Sequence, residues 1–517
     1  MGIGLRAVVA VMLLMGFYVA GVGLLVGVAA LDAVMWSSNA SVFFAFGLPF
    51  TAAVWILVGR AFYVSVLLPE REMTGVFVLE SQQPALWSAV REAAAAAGTA
   101  PPEFLWIDSR CNAAVYERTR WLGLRPGQRH LVVGAPLLVA LSPAKLDAIL
   151  AHEFGHFAHG DTRLLPVIMR GRSGLGWALN TAGFFTTGSV TNGRWLLHLQ
   201  MVIVRLIHGY AVRFLAITQK ISRAQEYAAD RISAELCGRE TAACVLAELP
   251  AYQTAYQYFR GRFADAASDF GLVPQPEALF AGFGRMLEEP RWQGAVESQR
   301  RSPSAGKPGR FDSHPPIPDR VSALRALPDD GRPLDDSPAR AADLLEGPQA
   351  LLAAVAGREK RYVDHRPADW DTLADAVAVA QARKLARPLV DGMRLIKGAQ
   401  PVLADFFDQI EAGGMEVMLY RLLTPTQSRY AQTTPSVALE IGANVLAPAL
   451  RAWITAELAE AGLVRWRHSW SGAAIETKDA AEGVGGALDA LLAAEPSQAA
   501  PAAAALREIL RGAGVSV

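Results

Sequence analysis

The sequence predicts a mainly α-helical protein of the α+β kind: one small β-sheet, N-terminal transmembrane helices and a helical C-terminal extension. Three observations carry this expectation. Two long uncharged stretches open the chain. A group of short β-like runs leads into a strongly periodic helix at residues 141–161. From about residue 345 the chain is Ala-rich and helical in its spacing.

The run from Ala7 to Leu31 has no charged residue, and about 20 apolar residues span a bilayer. It exceeds the roughly 7–15 apolar residues of a cleaved leader, and a second uncharged run, Ser41 to Gly59, follows at once. Residues 1–70 therefore read as two membrane spans. Arg6 precedes the first, Arg60 and Arg71 follow the second, and the loop between holds Asp32 but no Lys or Arg. The positive-inside rule places the N-terminus and everything after residue 60 in the cytoplasm, so a multi-pass cell-membrane protein is expected.

The chain has 517 residues, is 52% hydrophobic and carries no formal net charge. Binding a phosphate backbone needs a basic surplus, so nucleic acid is not an expected partner. Three scattered cysteines without a CxxC give no disulfide framework and point to a reducing compartment. Oligomeric state is not readable.

Residues 75–99 begin strand-like and turn helical from Pro84, with a stop at Gly98. Short β-like runs follow at 103–108, 112–118 and 129–141. Then comes "LSPAKLDAILAHEFGHFAHGD", residues 141–161. Ser142 is an N-cap and Pro143 suits the first helical position. Leu146, Ile149, Leu150, Phe154 and Phe157 recur at helical spacing. His152 and His156 are then one turn apart on one face. Two such imidazoles can bind one zinc ion, and Glu153, about 100° further round, sits beside the metal as a general base does.

Residues 164–192 are mixed. Residues 194–236 read as one long helix stopped by Gly238. Arg205, His208 and Arg213 argue against a lipid-exposed span, so this helix is expected inside protein or along the membrane surface. Residues 296–343 look like linker or surface loop, with "FDSHPPIPDRVSAL" at 311–324 standing out. Residues 463–478 suggest a hairpin, and the tail is low-complexity and partly flexible.

A catalytic zinc takes three protein ligands and keeps one position open. Three candidates lie downstream of His156. His159 is three residues on, but Thr162 stands where an HExxHxxGxxH pattern needs its last histidine. Glu226, in "SRAQEYAAD", shares a helix face with Asp230, which can accept the free N–H of a metal-bound imidazole. His314 sits on a Pro-fixed turn, as a ligand or as a donor to a developing oxyanion.

"LAHEFGH", "SRAQEYAAD" and "SHPPIPDR", with "NAAVYE" upstream, resemble in order the motifs of HtpX-like and CAAX-prenyl-protease-like membrane zinc metallopeptidases. The resemblance covers about residues 1–325. It implies a zincin-type catalytic domain of gluzincin class with one Zn²⁺ per chain. It implies His152, His156 and Glu226 as ligands, Glu153 as base and Asp230 behind the ligands, with Asn112 beside the site and His314 and Arg320 lining the cleft. The later hydrophobic segments of HtpX-like proteins are degraded here into 164–192 and 194–218, a departure that puts a four-span topology in doubt. The expected organisation is spans at 1–70, a peptidase domain at 71–325, a linker at 326–344 and a helical domain at 345–517.

The implied activity is a membrane-anchored zinc endopeptidase acting on protein or peptide substrates beside the lipid bilayer, in membrane protein quality control. Substrate is expected to pair with an edge strand within 129–138. The competing reading is a catalytically silent scaffold or sensor on a protease fold. It requires a damaged motif, and none of the motif residues is replaced.

Overall fold

A computed structural model describes residues 3–38, 75–120, 125–158, 194–304, 314–423, 435–472, 474–477 and 483–517, with isolated positions between 41 and 56. The chain is mostly helical with small sheets and divides into two compact units, 1–256 with 290–359 and 257–289 with 360–517.

The first unit begins with helix α1 (Ile3–Ser38), of which Val11–Ser38 is long and apolar enough to cross a membrane. The second expected span lies largely outside the described residues. A four-stranded sheet follows, from β1 (Val76–Val78), β2 (Phe104–Asp108), β3 (Ala113–Arg120) and β4 (Arg125–Gly134), in spatial order β1-β2-β4-β3. β4 runs parallel to β2 and antiparallel to β3. Helix α2 (Pro84–Ala96) buries Leu86, Trp87, Val90, Ala93 and Ala94 at helical spacing, and the Trp87 indole donates to the Val78 carbonyl at 3.2 Å.

The 129–141 run is not one strand. Pro136 cannot donate to a ladder, and the chain turns into the short helix α3 (Ala135–Ala140). Helix α4 (Pro143–Gly155) starts as expected, with the Ser142 hydroxyl accepting from Lys145 N at 3.4 Å. The long helix α5 (Arg194–Cys237) ends at Gly238, whose φ of +88° suits glycine. Its N-terminal half lies against α1: the Tyr210 hydroxyl donates to the Leu13 carbonyl, and Phe214 and Thr218 are fully buried while Arg205, His208 and Arg213 are exposed.

Helices α6 (Arg239–Phe259), α7 (Pro290–Arg301), α8 (Ile317–Arg325) and α9 (Pro348–Gly357) follow. Parts of the expected 296–343 loop, residues 296–301 and 317–325, are therefore helical. The segment read as a linker, 326–344, is tied to the first unit: Arg332 donates to the Glu235 and Leu236 carbonyls and Arg340 to the Ala140 carbonyl.

The second unit is built mainly from helices 276–287, 370–397, 403–411, 435–460 and 499–512. Its core includes Leu389, Phe406, Phe407, Leu450, Ile454, Leu491 and Leu506. Ser436–Glu460 also passes the length and apolarity test for a membrane span, but Leu446, Leu450, Trp453 and Ile454 bury it in this core. The expected hairpin is present, with Val464–Arg467 antiparallel to Ala474–Thr477. The tail read as partly flexible forms the helix Ala499–Gly512, because Leu506 and Leu510 supply a buried stripe.

Candidate metal centre and catalytic cleft

The site forms where α4 packs on α5. Gly155 makes the approach close, since a Cβ there would lie 2.8 Å from the Ala229 Cα. One turn further along α5, the Ser233 hydroxyl donates to the Ala148 carbonyl at 2.7 Å. These contacts bring the face carrying His152 and His156 against the face carrying Glu226 and Asp230.

Ligand atoms of His152, His156 and Glu226 all lie within 4.8 Å of one another. His152 Nε2 is 3.6 Å from Glu226 Oε2, and His156 Nε2 is 3.9 Å from Glu226 Oε1. Burial, with His152 alongside, pushes the His156 imidazole down to about 4, so it is neutral at pH 7 and offers a lone pair. His152 Nδ1 lies 3.0 Å from Asp230 Oδ1; donation there leaves Nε2 as the acceptor turned toward Glu226.

Glu226 and Asp230 are both buried. Burial alone would raise their carboxyl pKa values. Hydrogen bonds from His314 to Glu226 and from Arg320 and His152 to Asp230, together with the Arg320 charge, outweigh it and hold both low. His314 Nδ1 is 2.7 Å from Glu226 Oε1, with its ring largely exposed at the cleft mouth. Arg320 Nη1 is 2.9 Å from Glu226 Oε2, yet that oxygen is buried without an aligned hydrogen-bond donor. An orphaned carboxylate oxygen with the His152 Nε2 3.6 Å away, and the His156 Nε2 beside the other oxygen of the same carboxylate, fits a metal cation, which replaces the missing donor.

Glu153 is half-buried beside this group. Burial raises its pKa, the nearby His152 opposes that, and the Val115 backbone N–H hydrogen-bonds its carboxylate. All these side chains line one cleft of about 610 Å³, which Asn112, Ala113 and Ala114 also border.

Each expected residue from Asn112 to Arg320 is thus in or against the cleft; His159 falls outside the described residues. Arg320 differs from expectation in placement, being buried on α8 rather than on a loop. Sequence reasoning missed the Ser233 clamp and Gln253, which lines the cleft and donates to the Cys111 carbonyl at 3.4 Å. Neither has a motif. Gly155, inside "HEFGH", was a signal for close helix packing.

The expected substrate edge within 129–138 is corrected. β4 is hydrogen-bonded on both sides, and among the described strands β3 is the edge next to it. Gly134 N donates to the Asn112 carbonyl, which fixes the parity: Asn112, Ala114 and Tyr116 face β4, while Ala113 and Val115 turn their N–H and C=O outward. The Val115 bond to Glu153 agrees.

Residues 80–327 match the model of peptidase family M48. A protease HtpX homolog of Acidiphilium cryptum (strain JF-5) is 26% identical over 256 residues, covering 47% of this chain and 74% of that protein. No solved structure matches. Taken with the His-His-Glu group in the cleft, the match makes residues 80–327 a peptidase family M48 domain, similar to that of a protease HtpX homolog, and the chain a metallopeptidase, a class that acts on proteins or peptides.

Proposed function

We propose that the protein is a membrane-anchored, zinc-dependent endopeptidase that clears damaged membrane and cytosolic proteins. The observation that carries this reading is the convergence of His152, His156 and Glu226 with Glu153 beside them in one cleft. Two imidazoles and a carboxylate are the donor set of a catalytic zinc with one position left open. Zinc held there would polarise a scissile carbonyl and lower the pKa of a bound water to about 7.

The chain's own residues do the rest. Glu153, oriented by Val115 N–H, takes a proton from water and passes it to the leaving amine; its raised pKa favours carrying that proton. His314, exposed at the mouth, donates to the developing oxyanion. Asp230 orients His152, and Arg320 fixes Asp230 and Glu226 together. Substrate adds to the open edge of β3 through Ala113 N–H and C=O. Helix α1 anchors the chain in lipid, and with the uncharged run 41–59 as a returning span, Arg6, Arg60 and Arg71 favour a cytoplasmic cleft.

The test is bound metal and casein cleavage by detergent-purified wild type, Glu226→Ala and Glu153→Gln. About one zinc is expected in wild type and Glu153→Gln, much less in Glu226→Ala, and cleavage by wild type alone. Full zinc retention by Glu226→Ala would remove Glu226 from the ligand set.

A further inference from the structure

The cleft has both a charged and an apolar lining. Its charged groups gather on α4, α5 and α8, around the metal centre. Another part of the lining is a stripe of α6: Ala242, Val245, Leu246, Leu249, Pro250 and Gln253 recur there at helical spacing, apolar until the last residue. Leu246 and Leu249 are half-buried, so each leaves aliphatic surface facing the cavity. The charged residue of this stretch, Glu248, turns away from the cleft and is fully buried against Lys145 and Arg300. Half-buried Ile149 of α4 also lines the cavity. It lies one helical turn before His152 and Glu153, where side chains are about 5–6 Å apart. Apolar lining is therefore present beside the turn that carries the reacting centre.

From this arrangement we infer that the α6 wall is a specificity subsite for a large aliphatic or aromatic substrate side chain close to the scissile bond. The inference rests on the peptidase reading and narrows its substrate class. An Asp or Lys side chain placed against Leu246, Leu249 and Ile149 loses its water and gains no partner, whereas Leu or Phe gains buried area. Folded soluble proteins bury such side chains. The substrate thus lies extended along β3 with one large apolar side chain against α6.

The test uses the full-length, zinc-loaded protein in detergent and a panel of quenched peptides differing at one position next to the cleaved bond. Leu and Phe peptides should exceed Ala, Asp and Lys peptides by about tenfold or more in kcat/KM. Leu249→Ala enlarges the subsite and should shift preference toward Phe and Trp; Leu246→Phe fills it and should shift preference toward Ala. Opposite shifts in the two variants are not produced by a general loss of fold. Equal rates across the panel, with preferences that neither variant moves, would overturn the subsite and leave the peptidase reading standing. If nothing is cleaved, the peptidase reading fails on its own, and peptide affinity for Glu153→Gln by fluorescence anisotropy decides the subsite. Tighter binding of Leu and Phe peptides supports it, and equal affinities overturn it.

Discussion

The Arg320 guanidinium meets the Asp230 carboxylate edge to edge, Nε to Oδ2 at 2.8 Å and Nη2 to Oδ1 at 2.6 Å, with both side chains buried. Its Nη1 faces Glu226 Oε2 at 2.9 Å, so one planar fork spans two carboxylates a helical turn apart. A lysine carries the charge but not the fork. Arg320→Ala would strand two buried carboxylates, at a cost of about 3–5 kcal/mol. Its zinc affinity should fall roughly 10–100-fold because His152 loses its orientation through Asp230. Arg320→Lys should fall between. Thermal unfolding and zinc titration check both, and a wild-type-like Arg320→Lys would show that charge alone holds the site.

Local signals made the two metal-centre helices legible. Ser142 and Pro143 mark the start of α4, the His152 and His156 spacing sets one face, and Gly238 ends α5. Glu226 and Asp230 share a face simply because they are one turn apart. What stayed hidden depends on partners distant in sequence. Whether β4 or β3 is the edge depends on β4 inserting beside β2, which no spacing within residues 103–141 records. Arg320 read as a loop residue because the prolines at 315, 316 and 318 suggest a turn. Pro318 instead sits in the first turn of α8, where its missing N–H costs nothing. The inclusion of residues 257–289 in the second unit reflects packing, such as the Phe259 ring 5.8 Å from that of Trp370.

Glu248 anchors the start of the metal-centre helix. It is fully buried, with Lys145 Nζ at 2.8 Å, Arg300 Nε at 2.6 Å and the Tyr252 hydroxyl at 3.3 Å. Glu248→Gln leaves the Lys145 ammonium buried without a counter-charge, and an expected loss of about 3–5 kcal/mol follows. Lys145→Met with Glu248→Met removes both charges and should recover much of it, because Arg300 is partly exposed and can turn to water. Denaturant unfolding of the single and double variants measures the difference. A double variant no more stable than Glu248→Gln would mean that the network, not the stranded charge, sets the stability.

Main-chain pairing on β3 has a direct probe. Ala113 N–H points to the open edge, so proline there removes a substrate donor without removing a ladder bond. Ala113→Pro should keep its zinc and its unfolding temperature. Its kcat/KM should drop about tenfold, the worth of one hydrogen bond at about 1.4 kcal/mol. Peptide kinetics beside metal analysis check it, and unchanged kinetics would move the substrate off this edge.

Asp147 gives the fold a pH dependence of its own. It lies on α4, and burial, reinforced by Glu92, raises its carboxyl to about 7. Its Oδ1 is buried without a hydrogen-bond partner among the described residues. In the unfolded chain the same group titrates near the usual ~3.9. Between about pH 4 and 7 the folded state therefore binds the extra proton. Its contribution to stability is complete below about pH 4 and is lost as pH rises through 7. Asp147→Asn stays neutral throughout, so it should raise the unfolding temperature at pH 8 and change it little at pH 4. Thermal unfolding of wild type and variant at both values decides this. An equal shift at the two pH values would assign the cost to burying any polar group at position 147, and a shift confined to pH 8 assigns it to the charge.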